Sequence, residues 1–193
     1  LVTTREADLT ALKDVNLEIS NGNVVANEKM ESSLKNVYVP GDVNGKKLLA
    51  HAAFKMGDIA ASEIVEGKSD KYNNNIIPRA IYTYPEIGSV GLAEEEAKKS
   101  YDVKVGKFNY GANGRALAHG DSSGMVKIIS DARYGEILGA HIVGPRASEL
   151  INEVSILMQS EVIVEEAIKM VFGHPTFSEA IYEAIADVEG VSV

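Results

Sequence analysis

Two short apolar runs do most to fix what this chain can become. Met125 to Ser130 and Glu136 to Val143 are separated only by Asp131-Ala132-Arg133-Tyr134-Gly135, a turn of the length that closes an antiparallel hairpin. Further strands are expected over Pro78 to Tyr84, rich in β-branched and tyrosine residues, and over Val103 to Tyr110. Tyr84-Pro85 is a candidate cis bond. A short helix is expected from Glu94 to Lys99, although Ala93 before it offers no side-chain cap. Helical spacing then dominates. Leu150, Val154, Leu157 and Met158 share one face, Val164, Ile168 and Val171 another, and Phe177, Ile181, Ala184, Ile185 and Val188 a third. Strands followed by helices predict an α+β domain, an antiparallel sheet with helices packed on it.

The stretch before this domain has a different pattern. A short helix opens it, and Asn21-Gly22 between Leu17-Glu18-Ile19 and Val24-Val25-Ala26 is a strong hairpin signal. Asn36 to Val39 is expected as a strand running into Pro40-Gly41-Asp42. An alanine-rich helix follows from about Leu48 to Val65, closed by Gly67. Asp70 to Asn75 is polar and turn-prone, so the expected division is residues 1–70 and 76–193.

Composition narrows the chemistry. The net charge of −9 repels phosphate backbones, which argues against nucleic acid. The 193 residues include no cysteine, so no thiol nucleophile, thiolate metal site or disulfide can arise within them. No two histidines stand three or four apart, and no metal is expected. No apolar run approaches the ~18 residues of a membrane helix. Leu1 to Asp8 resemble no signal peptide, and the expectation is a cytoplasmic protein.

The motifs are few. Gly41-Asp42-Val43-Asn44-Gly45-Lys46-Lys47 has one residue too few for a phosphate loop, and Lys47 stands where a hydroxyl should hold magnesium. His174-Pro175-Thr176-Phe177-Ser178-Glu179 is more informative and supports two readings. Thr176 and Glu179 fit a capping box, with Glu179 reaching back to a backbone N–H. Alternatively Glu179 accepts a proton from one His174 ring nitrogen, leaving the other as a base near neutral pH. Spacing alone leaves both open. His141 is expected to be packed or interfacial in its strand, His119 in a loop, and His51 at the start of a helix.

Several stretches together resemble the pyridine nucleotide–disulfide oxidoreductases. Asn36 to Val43, followed by Leu48-Leu49-Ala50-His51, is similar to their second flavin-binding segment. Tyr82 to Leu92 resembles the opening of their dimerisation domain. Asn113-Gly114-Arg115-Ala116-Leu117 and Gly139-Ala140-His141-Ile142-Val143-Gly144-Pro145 resemble the dihydrolipoamide dehydrogenase branch. His174-Pro175-Thr176 with Ser178-Glu179 is similar to the family's catalytic histidine and its carboxylate partner.

That resemblance implies more than the residues do. Residues 1–70 would be the end of an FAD-binding domain and 76–193 the dimerisation domain. Asp42 would meet the sugar-alcohol or pyrophosphate region of FAD, and backbone N–H groups of Leu48, Leu49, Ala50 and His51 the flavin edge. His174 would deprotonate a dihydrolipoyl thiol for the partner subunit's disulfide, with Glu179 orienting it. A two-fold homodimer, NAD and a lipoyl domain of a 2-oxoacid dehydrogenase or glycine cleavage complex are the implied partners, and cell redox homeostasis the implied role. The paired cysteines, the glycine fingerprint and the nicotinamide domain would lie upstream, so the chain alone would be inactive. Pro40 and Ala93 depart from the family pattern without disturbing it. Rival readings are another disulfide reductase, such as one acting on glutathione, or a dimerisation module with no redox role.

Overall fold

The computed structural model describes residues 6–192, in two units that divide between Asn74 and Asn75. Of the stretch Leu1–Asp8 read against a signal peptide, the first five residues lie outside those described. In the first unit, the expected opening helix is a single 3-10 turn, Thr10–Leu12. Strands β1 (Ile19–Ser20) and β2 (Asn23–Val24) pair antiparallel across Asn21-Gly22, both at positive φ. That geometry is what a two-residue hairpin turn requires.

Asn36 to Val39 does not become a strand. Only Tyr38 forms a bridge, to Glu31. Asn36 sits at φ 64° with its N–H on the Glu31 carboxylate, which turns the chain out of extended pairing, and Pro40 has no N–H to continue it. Helix α1 (Ala50–Glu66) begins two residues later than Leu48 and ends on Gly67. Its buried face is Ala52, Met56, Ile59 and Ala60, the spacing of one helical stripe. The Asp42–Asn44 turn is fastened to it: buried Asn44 donates to the Val39 carbonyl (2.8 Å) and to Met56 Sδ (3.3 Å).

The second unit is a five-stranded antiparallel sheet. Its strands are β3 (Arg79–Ile81), β4 (Ile87–Gly91), β5 (Val103–Asn109), β6 (Met125–Asp131) and β7 (Ile137–Val143), in the order β3-β4-β7-β6-β5. The expected hairpin is β6 with β7. Pro78 to Tyr84 yields a strand of only three residues, and the strand β4, which the pattern did not predict, lies between β3 and β7. The Tyr84–Pro85 peptide is cis, and so is His174–Pro175.

Helices α2 (Glu94–Ala97) and α3 (Gly114–His119) are short, and α3 places His119 on a helix rather than in the expected loop. Glu96 accepts the Ala93 N–H (3.0 Å), the carboxylate half of a capping box whose hydroxyl half Ala93 cannot supply. Helix α4 (Ala147–Gln159) lies over β3, β4 and β7, and α6 (Glu179–Val188) over β5 and β6. Between them α5 (Val164–Ala167) is a single turn, not the full helix expected through Val171, which is 97 % exposed.

The core lies between sheet and helices. Val90, Val126, Ile128 and Ile142 meet Leu150, Ile151, Val154, Ile181 and Ile185. Two glycines permit the approach. A side chain at Gly88 would strike the Ala147 carbonyl, and one at Gly106 the Ala184 carbonyl. The other sheet face carries a small cluster, Ala97, Ile129 and Leu138, beside a polar row in which Lys127 pairs with Glu94. At the β5 edge, Asp187 of α6 accepts the Lys107 backbone N–H (2.8 Å), while Lys104 pairs with Glu189 (3.0 Å).

Candidate active site

The chain enters α6 through Gly173-His174-Pro175-Thr176, and Glu179 is the helix's first residue. Its Oε1 lies 2.7 Å from His174 Nδ1, and its Oε2 accepts the Thr176 N–H at 2.7 Å. The two geometries expected to compete therefore coexist, one oxygen to each. The Thr176 hydroxyl donates to the Gly173 carbonyl (2.7 Å) instead of capping the helix, so only the carboxylate half of a capping box forms.

Charge then fixes the proton. Burial raises the Glu179 carboxyl, but the bonds from Thr176 and His174 outweigh it and hold the group below its ordinary range. An ionised carboxylate only accepts, so Nδ1 carries the hydrogen and the Nε2 lone pair is free to act as a base. The imidazole is 78 % exposed, whereas Glu179 is 25 % exposed, which puts the carboxylate inside and the ring outside. Among the described residues Nε2 has no hydrogen-bond partner.

Neighbours from distant parts of the unit hold this loop. Asn113 Nδ2 donates to the Thr176 carbonyl (3.0 Å), and Ser178 Oγ to Glu153 on α4 (2.7 Å). The Phe177 ring meets Tyr110 edge-on at 6.3 Å and His119 at 5.7 Å. Neither Asn113 nor Glu153 was marked as a site residue by the sequence. His141 does not join the site: its Nε2 lies 3.2 Å from the Leu92 carbonyl.

The residues expected near a flavin lie in the first unit. Asp42 opens the 3-10 turn, Leu48 and Leu49 are still extended or irregular, and Ala50 and His51 begin α1. The Gly41 N–H donates to Met56 Sδ (3.3 Å), so the Asp42 turn rests on the same helix. Leu49 at the N-cap position offers no capping side chain and the first turn of α1 holds no acid, so the helix itself brings no negative charge to the positive end of its dipole. Among the described residues no cluster of metal-ligating side chains forms, and no helix is long and apolar enough to cross a membrane.

Known proteins resemble this chain in sequence and fold. A dihydrolipoyl dehydrogenase of Bacillus subtilis is 38 % identical over 183 residues, 94 % of this chain and 40 % of its own length. That of Thermus scotoductus is 43 % identical over 164 residues, 84 % of this chain and 35 % of its own. The chain thus spans about two fifths of the curated relatives it matches. The crystal structure of LpdA from Mycobacterium tuberculosis superposes with a TM-score of 0.84 at 25 % identity, over 90 % of this chain and 38 % of that one. Residues 77–185 match the model of the pyridine nucleotide-disulphide oxidoreductase dimerisation domain. With its sheet, helices and sequence all agreeing, the chain belongs to the pyridine nucleotide-disulphide oxidoreductase family.

Proposed function

We propose that this chain serves a dihydrolipoyl dehydrogenase, supplying a dimer interface and the acid/base pair His174–Glu179. The observation that carries the reading is the 2.7 Å contact between Glu179 Oε1 and His174 Nδ1, which leaves Nε2 turned outward. Nε2 would take the proton from a dihydrolipoyl thiol. The resulting thiolate attacks one sulfur of a disulfide, forming a new S–S bond and releasing the other sulfur as thiolate. These 193 residues hold no cysteine, so the disulfide would belong to the rest of a longer protein, and in a two-fold homodimer of that protein the partner's disulfide would reach His174. Glu179 holds the ring's tautomer and stabilises the imidazolium.

Asp42 and the backbone N–H groups from Leu48 to His51 are the residues here that would hold FAD. Bound FAD would accept the electron pair of the reduced disulfide and pass it to NAD⁺. The start of α1, with no acid in its first turn, fits that assignment, because a helix N-terminus favours the charge that a reduced flavin gains. The lipoyl domain of a 2-oxoacid dehydrogenase or glycine cleavage complex is the proposed source of dithiol.

The test is a graft of this chain in place of the matching region of the Bacillus subtilis enzyme. Dihydrolipoamide should drive NADH formation, and His174→Gln in the graft should lower that rate by ~10²–10⁴-fold, the usual share of a general base. NADH oxidation by an artificial acceptor, which needs no thiol proton, should persist. A His174→Gln graft as active as its parent would overturn the assignment, and preference for glutathione disulfide would move it to another reductase. The 193-residue chain alone should give no NADH above the blank.

A further inference from the structure

The amide of Asn113 is engaged at both ends. Its Oδ1 accepts the Ala116 N–H (2.9 Å) and caps α3, while its Nδ2 donates to the Thr176 carbonyl (3.0 Å). The orientation is not ambiguous, since only the oxygen can face an N–H and only the nitrogen a carbonyl. Thr176 is thereby gripped on both sides of its residue, with its N–H on Glu179 Oε2 and its C=O on Asn113. The same carboxylate holds His174 Nδ1 through Oε1. Asn113 is buried, so water does not compete with its bonds.

We propose that Asn113 is a positioning residue for His174: by fixing the Thr176 carbonyl it sets the Glu179 carboxylate that selects the imidazole tautomer. This rests on the reading of His174–Glu179 as the acid/base pair. Asparagine does two jobs that separate chemically. Aspartate can still cap α3 but has no N–H for Thr176, and serine can cap but is too short to reach it.

The experiment uses the 193-residue chain with its four histidines labelled with ¹⁵N. Ring nitrogen shifts near pH ~9, where free imidazole is neutral, report the Nδ1–H to Nε2–H ratio. Protection of the Ala116 amide from exchange reports the cap. Wild type should hold His174 as Nδ1–H. Glu179→Gln should reverse this, because the amide can donate to Nδ1. Asn113→Asp and Asn113→Ser should lower the ratio at least ~2-fold while Ala116 stays protected, since serine no longer reaches Thr176 and aspartate replaces the donor with a charged acceptor that the Thr176 carbonyl repels.

An unchanged ratio in both Asn113 variants, with Glu179→Gln still effective, overturns the proposal and spares the pair. An unchanged ratio in Glu179→Gln overturns the pair itself. Loss of Ala116 protection in step with the ratio in both Asn113 variants also overturns the proposal, as Asn113 would then be a cap alone. Should Asn113→Asp fail to fold, Asn113→Ser decides by the same two readouts.

Discussion

At α1 the N-cap residue is Leu49 and the first turn has no acidic residue, whereas α6 begins with Glu179 and uses both oxygens of that carboxylate within its own entry loop. Both ends carry the same positive pole of a helix dipole. At α6 the chain supplies the compensating charge and gains a fixed imidazole from it. At α1 the first turn supplies no such charge. The difference shows how the same backbone device can be matched to an internal carboxylate in one unit and left without one in the other.

Removing the charge at α6 should have the largest effect on that contrast. Glu179→Ala takes away an N–H acceptor and the imidazole's partner together, and should lower unfolding stability by ~1–2 kcal/mol in a urea titration. A loss no greater than that of an ordinary surface change would mean the entry loop is held without its carboxylate. Supplying a charge at α1 is the converse. Leu49→Asp should stabilise the chain by ~0.5 kcal/mol, the gain of a new cap less the packing of a half-buried leucine, and should weaken flavin binding in the Bacillus graft. Unimpaired FAD affinity in that variant would break the comparison, since the α1 terminus would then not face the flavin.

The smallest effect is on acid stability. The Glu179 carboxyl lies below its ordinary value of 4.5 in the folded chain, because the Thr176 and His174 bonds exceed the opposing effect of burial. Its contribution is therefore complete above that value and declines as pH falls through the folded one. Glu179→Gln should flatten the stability curve only in that acid window. A difference in slope near neutral pH would point to another group.

How much of this the sequence displays depends on the length of the pattern. The stripe from Phe177 to Val188 placed α6 correctly, and the alanine-rich run placed α1 within two residues of its start. Val164, Ile168 and Val171 are too few to demand a helix, and Gly173 and Pro175 soon interrupt it. Strand β4 escaped notice for a different reason. Its alternation is written partly in glycine, and Gly88 is there to admit the α4 backbone, which only the packed structure shows. The site divides in the same way. His174 and Glu179 are five residues apart and form a local pattern, and their geometry was expected as an alternative to the cap rather than in addition to it. Asn113 and Thr176 are 63 residues apart, so their bond has no local trace.

The bond from Lys107 to Asp187 at the outer strand also bears on solubility. An unpaired strand edge is a template on which a foreign strand can dock, and repeated docking leads to aggregates. In β5 the edge N–H of Lys107 is already occupied by a carboxylate from α6, with Asp187 as a stopper, and the Lys104–Glu189 pair adds charge beside it. The opposite edge, β3, offers an intruder only three residues. Side chains of the same helix whose first residue holds His174 thus close one end of the sheet to misassembly.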